Sequence, residues 1–246
     1  MACGAAAALY VTLRRTESHG LLREHIYHLA FWVLPASLFG TKVLALVGFL
    51  LGALRGQGFP SVLAILEAHG FYFGGLLSGL AVSVLVLRAY KVSWWNVADV
   101  VAPGLALGNV FGRLGCFAVG CCWGKPTTSW IGVTFTVQAH QLVGVPNGIV
   151  LLPTQLIEAF ANLIIFVLLF LWAQKKQCFQ GQIILIFLIL YSVERFVVEI
   201  WRDDPRGHIM NFSISQFLSL HIFVLAIALY VWMRSRSTQF AERSVI

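Results

Sequence analysis

Long runs of hydrocarbon side chains, broken only by short polar stretches, leave this chain few folds to choose from. Seven runs can be marked, at about 2–13, 28–53, 72–89, 97–118, 153–173, 181–201 and 214–233. A bilayer core of roughly 30 Å takes about 20 apolar residues per helix. Lipid cannot hydrogen-bond a bare backbone, so each spanning segment must satisfy itself as a helix. Of the 246 residues 59% are hydrophobic and 11% charged, and the mean hydropathy is +0.83, which excludes an ordinary soluble domain. The expected fold is all-α: one integral-membrane domain over 1–246, a bundle of about seven transmembrane helices. The first run is short and lacks both a charged leader and a small-residue cleavage site, so it reads as a truncated or tilted span, not a signal peptide. Residues 123–152, rich in Gly, Thr, Val and Pro, read as an extracytoplasmic loop with a short strand pair around WIGVTFTV.

The net charge of +7 is spread over segment ends, with no basic tract of five or more, which argues against nucleic acid and for a membrane surface. An odd number of spans puts the termini on opposite sides. One face collects Arg14, Arg15, Arg23, Arg88, Lys91, Lys175, Lys176, Arg234, Arg236 and Arg243; the other Lys42, Arg55, Arg113, Lys125, Arg195, Arg202 and Arg206. Arg113 and Arg195 fall within or against apolar runs, where they count poorly for topology, so the richer face is assigned to the cytoplasm together with the C-terminus.

Ionisable groups at membrane depth cost on the order of 2.5–3.5 kcal/mol each and mark function or pairing. Arg195 and Glu199 stand four apart on one helical face and can form an ion pair, structural or catalytic, with Glu194 and Arg202 close by. Glu194 cannot share that face with both partners and is expected to look toward a polar cavity or the interface. Glu158, after Pro153 and Thr154, reads either as a carboxylate favoured by a helix N-terminus or as part of a site. Arg113 sits between Gly112 and Gly115; its planar fork suits a lipid phosphate, and snorkelling to the interface is the plainer alternative. Together these groups outline a polar chamber suited to an anionic phospholipid headgroup.

Residues 112–125, GRLGCFAVGCCWGK, hold Arg113, Lys125 and three of the five cysteines. Cys116, Cys121 and Cys122 can pack a glycine-rich helix end, act as a base or nucleophile beside Arg113 or Lys125, or exchange electrons as Cys116–Cys121 or vicinal Cys121–Cys122 pairs. Zinc is also open, although CxxxxCC lacks the usual two-residue spacing and no histidine is near in sequence. Cys3 and Cys178 read as ordinary packing residues.

Several motifs appear in order along nearly the whole chain: FGTK at 39–42, FGGLLSG at 73–79, ADVVAPGLALGNVFGRLG at 98–115, GKPT at 124–127, PTQLIEA at 153–159, ERFVVEIWR at 194–202 and SISQFLSL at 213–220. In this the chain resembles the prolipoprotein diacylglyceryl transferases of bacteria. The resemblance implies a seven-helix bundle with a lipid-accessible central cavity, in the cytoplasmic (inner) membrane. It implies transfer of a diacylglyceryl group from phosphatidylglycerol to the lipobox cysteine of a prolipoprotein signal peptide, with glycerol phosphate released and no cofactor or metal. Carried over by position, Arg113, Gly124, Arg195 and Glu199 match residues for headgroup binding, site shape and a catalytically important ion pair. Arg202 matches a further arginine, and Gly74, Gly75 and Lys125 fall on the donor-binding side. Cys116 and Cys121 join the catalytic set as replacements inside the signature.

The departures concern proton handling. The family's asparagine, asparagine and glutamate stand here as Cys116, Val119 and Cys121; its histidine before the paired glycines is Phe73, with His69 four residues upstream and out of alignment; the histidine before PTQL is Leu152. Donor binding is therefore better supported than acceptor chemistry. Two alternatives stay open: a phospholipid-dependent transferase with another acceptor, and a non-catalytic lipid-binding or redox-sensing membrane protein.

Overall fold

The structure is a computed structural model that describes residues 2–54, 72–171, 177–204, 208–209 and 212–243. Helices α1 (Ala2–Thr16), α2 (Arg23–Leu54), α3 (Tyr72–Ala89), α4 (Trp94–Val119), α5 (Val137–Val143), α6 (Thr154–Leu171), α7 (Gln182–Val198) and α8 (Ile214–Arg243) carry the chain. A two-stranded ribbon pairs β1 (His208–Ile209) with β2 (Phe212–Ser213), antiparallel, with His208 opposite Ser213. Four described helical stretches are long and apolar enough to cross a membrane: Arg23–Leu50, Trp94–Val119, Thr154–Leu171 and Ile214–Ser237; α3 adds a shorter apolar stretch, Gly74–Ala89. The protein is a helical membrane protein. Arg55, His69, Lys175, Lys176 and Arg206 lie outside the described residues.

The chain divides into two compact units, Met1–Arg15 with Ala98–Ile246, and Thr16–Val97. In the second, α2 and α3 run antiparallel along a seam of small residues. A Cβ on Gly74 would meet the Leu44 Cβ at 2.8 Å, and one on Gly75 would meet the Ser37 carbonyl at 2.9 Å. Backbones that approach this closely gain dispersion contacts that lipid does not supply. Ser78 closes the seam by donating its hydroxyl to the Ala36 carbonyl at 2.9 Å across the interface.

In the first unit α1 packs antiparallel on α4 in the same manner, with Gly104 against Ala8 and Thr12 and Gly108 against Ala8. Pro103 lies inside α4 and has no N–H for the carbonyl of Asp99, four residues back. Arg15 supplies the missing donor from α1, with Nη1 at 3.0 Å from that carbonyl. The carboxylate of Asp99, fully buried, accepts from the backbone N–H of Gly181, Ile183 and Ile184 at 2.5, 2.8 and 2.9 Å and from Gln177 Nε2 at 2.8 Å. It caps the otherwise unpaired N–H groups that open α7. With Asp99 at the start of α4 tied to the start of α7, these two helices run parallel.

Residues 120–153 fold over the far end of α4. The expected strand pair is reduced to isolated bridges, Val133 and Pro126 each pairing with Leu151, and the stretch also contains α5, which periodicity did not reveal because it is only 7 residues long. Trp123, Phe135, Ala139, Val145 and Leu151 bury one another in a small core of their own. Cys3 and Cys178, expected as packing residues, are exposed.

Candidate active site

Helix α4 ends at Gly120, whose φ of +87° allows the left-handed turn. The N–H of Cys121 returns to the Cys116 carbonyl at 3.1 Å and that of Gly120 to the Phe117 carbonyl at 3.2 Å, a Schellman cap. Cys122 follows with φ +65°, a conformation that a residue with a Cβ rarely adopts. Two fully buried side chains at the start of α6 hold this turn: Gln155 Nε2 donates to the Cys121 carbonyl at 2.7 Å and Thr154 Oγ1 to the Cys122 carbonyl at 2.8 Å. The Sγ atoms of Cys116, Cys121 and Cys122 consequently lie within 4.8 Å of one another, each partly buried. Hydrogen bonds from Cys116 and Cys121 hold the Cys122 thiol below the ordinary thiol range, and Arg202 adds to the effect. Hydrogen bonding to Cys116 and Cys122, together with burial, pushes the Cys121 thiol up.

Next comes Gly124, at a junction of three strands of chain. A Cβ there would meet the Leu152 carbonyl at 2.6 Å, Thr154 Cγ2 at 2.8 Å and the Trp201 carbonyl at 2.9 Å. The Gly124 N–H instead donates to Leu152 at 3.0 Å, and the Lys125 N–H to Trp201 at 2.8 Å, so the loop is stitched to the end of α7. The Lys125 side chain is exposed.

The centre of the site is Glu158, 1% exposed. It belongs to the second turn of α6 and not to the N-terminal position that its sequence context suggested, so the macrodipole is not its main partner. Three arginines from two helices and a loop converge on it. Arg113 Nε pairs with Oε2; Arg195 Nη1 and Arg202 Nη1 each reach Oε1 at 3.1 Å. Arg195 Nη2 also meets Glu199 Oε2 at 2.6 Å, the expected pair across one turn, and donates to Ser215 Oγ at 3.2 Å. Arg202 forms a two-pronged bond with Asp204, at 3.0 and 3.1 Å. Ser215 is placed by a capping box at the start of α8, in which the Gln216 N–H donates to Ser213 Oγ and the Ser213 N–H to Gln216 Oε1, both at 3.1 Å.

These arginines are not equivalent. The guanidinium side chains of Arg195 and Arg202 are 9% and 2% exposed and engage carboxylates through several nitrogens, whereas Arg113 is 19% exposed and is anchored through Nε alone. Both of its terminal nitrogens are without a hydrogen-bond partner among the described residues. A guanidinium held at Nε presents those nitrogens as a fork, the geometry that binds a phosphate through two parallel bonds. Glu194 is buried nearby in sequence, and neither of its carboxylate oxygens has a donor among the described residues.

The sequence reading named Arg113, Arg195, Glu199, Arg202 and Gly124, and the structure gathers them into one cluster. Cys116 and Cys121 lie one turn or less from it in the chain. Gly74 and Gly75 belong to the other unit, where they serve the α2–α3 seam. Sequence reasoning missed Glu158 as the hub and Thr154, Gln155 and Ser215 as supports. A signal for the hub was present: Gln155, Glu158 and Asn162 recur on one face of an otherwise apolar helix.

A family model described as "Prolipoprotein diacylglyceryl transferase" matches residues 1–232. The phosphatidylglycerol–prolipoprotein diacylglyceryl transferase of Clostridium tetani (strain Massachusetts / E88) is 34% identical over 94% of this chain and 89% of its own length. The second such transferase of Clostridium perfringens (strain 13 / Type A) is 32% identical over 92% of this chain and 86% of its own. The relative from Oceanobacillus iheyensis is 27% identical over 95% of this chain and 82% of its own. A match over nearly all of the chain, on a membrane helix fold with buried arginines gathered at one helix end, carries the conclusion: this chain belongs to the prolipoprotein diacylglyceryl transferase family.

Proposed function

We propose that the chain transfers a diacylglyceryl group from phosphatidylglycerol to the lipobox cysteine of a prolipoprotein and releases glycerol phosphate, with the Glu158 cluster as the donor site. The observation that carries the site assignment is the free fork of Arg113, held in place by a buried carboxylate. A phosphodiester seated there would have its charge met by a fixed cation with Arg195 and Arg202 behind it. As the carbon–oxygen bond breaks, the electron pair passes to the phosphate, and preorganised guanidinium donors stabilise that growing charge more than they stabilise the ground state. Glu158, Glu199 and Asp204 keep the three arginines aimed without reorganisation during the step.

The rest of the reading follows the same site. Gly124 keeps the loop against α7; Lys125 offers an exposed cation to the headgroup; Gly74 and Gly75 set the α2–α3 spacing on the donor side. An apolar groove of about 180 Å³ between α7 and α8, walled by Phe196, Leu220 and Phe223, suits hydrocarbon. The chain acts as one membrane domain of seven helices around a lipid-accessible cavity in a bacterial inner membrane, with the C-terminus in the cytoplasm and the cluster at the outer leaflet.

Incubating the purified chain with phosphatidylglycerol and a lipobox peptide tests this by mass spectrometry. A diacylglyceryl peptide and free glycerol phosphate, both lost in Arg113→Ala, are expected. Glycerol phosphate without a peptide adduct would mean another acceptor. Bound lipid that never turns over would mean a lipid-binding protein.

A further inference from the structure

We infer that Cys116, Cys121 and Cys122 form a three-thiolate site for a thiophilic d10 metal ion, zinc above all, whose open fourth position binds the acceptor thiol. This rests on the proposed transfer reaction for the identity of that thiol. It departs from the expectation that the chain needs no metal, and it answers the spacing objection. CxxxxCC is not a two-residue zinc knuckle, yet the fold brings the sulfurs together without one.

The geometric case starts from the distances. Zinc holds thiolates at about 2.3 Å, so two sulfurs on one tetrahedral ion stand about 3.8 Å apart. All three sulfurs already lie within 4.8 Å of one another, which leaves each pair about 1 Å or less to close, within the reach of thiol rotation. Adjacent cysteines normally diverge. Here Cys122 occupies the left-handed region, φ +65°, and the backbone carbonyls of both adjacent cysteines are pinned by Gln155 and Thr154. Backbone strain of this kind persists where surrounding contacts over-determine it, and it collects at functional sites. Packing alone does not require three sulfurs to gather within 4.8 Å of one another.

The chemistry follows from the ligand count. Three protein ligands leave a tetrahedral ion with one open position, the pattern of metal sites that act on a substrate, and the described residues contain no fourth Cys, His, Asp or Glu in the group. A thiol bound at that position is deprotonated by the ion. The site stands one helical turn from Arg113, since Cys116 is three residues along α4, so the thiolate would be delivered next to the phosphodiester held by the Arg113 fork. The sulfur of the acceptor then forms a bond to the glyceryl carbon, and the bond from that carbon to the phosphate oxygen breaks. Its electron pair leaves with the phosphate, and the thiol proton ends on the released glycerol phosphate. The metal keeps its charge throughout. This route supplies an acceptor thiolate without calling on a histidine or carboxylate base in the cysteine group.

The test uses the full chain in detergent, reduced and stripped of metal with a chelator. Titration with Co2+ is expected to give a thiolate-to-cobalt charge-transfer band that saturates at about one equivalent and is bleached by one equivalent of Zn2+. Cys116→Ser, Cys121→Ser and Cys122→Ser should each weaken binding by about 100-fold or more, whereas Cys3→Ser and Cys178→Ser should bind as the parent does. Unchanged elution volume and retained phospholipid show that a variant has folded. No band in the reduced, folded parent, or a band that survives in the Cys121→Ser/Cys122→Ser double variant, overturns the site. In the peptide assay, metal-stripped protein should lose adduct formation and regain it with Zn2+. Transfer at the parent rate without metal overturns the role of the metal and leaves the transferase reading intact. Metal bound at the three cysteines with no transfer at any metal content overturns both the activating role and the reading on which it rests.

Discussion

Two buried carboxylates in the same unit, Asp99 and Glu158, take their hydrogen bonds from different kinds of donor. Asp99 accepts from three backbone N–H groups and one amide side chain, all belonging to the start of α7 and the loop before it. Those donors are neutral amides, with the Arg15 guanidinium close by on the Asp99 backbone carbonyl, and the contact joins two helices. Glu158 instead accepts from Arg195 and Arg202 and is paired in charge with Arg113, three side chains that also have nitrogens to spare or to share. A carboxylate satisfied by backbone is a joint. One satisfied by guanidinium groups is a counter-ion, and an incoming phosphate can share what it holds. The difference separates a structural charge from a binding site more cleanly than burial does, since the two are buried alike.

The comparison breaks most sharply at Arg113. Arg113→Ala should lower the rate of peptide lipidation by about 10³-fold, about 4 kcal/mol of transition-state stabilisation, while thermal unfolding in detergent shifts little. A parent-like rate in the adduct assay would remove the fork from the mechanism. Asp99→Ala should do the reverse. It leaves buried N–H donors unpaired at a cost of about 1–3 kcal/mol each, so the unfolding midpoint should drop by the equivalent of roughly 3 kcal/mol or more while activity per folded molecule holds. If activity per folded molecule falls instead, Asp99 is more than a joint.

Smaller effects sharpen the contrast. Gly124→Ala forces a methyl against two carbonyls and a threonine methyl, with an expected loss of about 1–3 kcal/mol in stability that chemical denaturation would register. Ser213→Ala removes half of the capping box that places Ser215 and should cost about 1 kcal/mol by the same measurement. Finally, in metal-stripped protein, maleimide labelling against pH should find Cys122 reactive at lower pH than Cys121. The thiolate of Cys122 is favoured by its neighbours and by Arg202, and that of Cys121 is opposed by burial and by its bonds to the other two thiols. Labelling in the opposite order would place the hydrogen bonds of the trio the other way round.

Hydrophobic periodicity and charge at depth were legible because each is a local quantity. The apolar runs announced helices wherever they were longer than a few turns, and α5 escaped because seven residues do not establish a period. The Arg195–Glu199 pair could be read from a four-residue spacing, since one helical turn brings those side chains together whatever the fold does elsewhere. Glu158 could not be read so. Its partners lie 37, 44 and 45 positions away in sequence, and an isolated acidic residue early in an apolar helix looks the same whether it faces solvent, lipid or three cations.

By itself the sequence determined the medium, the helical class, the family likeness and the residues too expensive to bury without purpose, because transfer free energies and helical spacing act along the chain. Only the tertiary structure decided which charges meet. It showed that Arg15 repairs the bond lost at Pro103, that Glu158 anchors Arg113 by one nitrogen and leaves its fork open, and that a strained turn brings three sulfurs within 4.8 Å of one another. Those outcomes depend on distances between elements remote in sequence, and close packing of helices is what sets such distances.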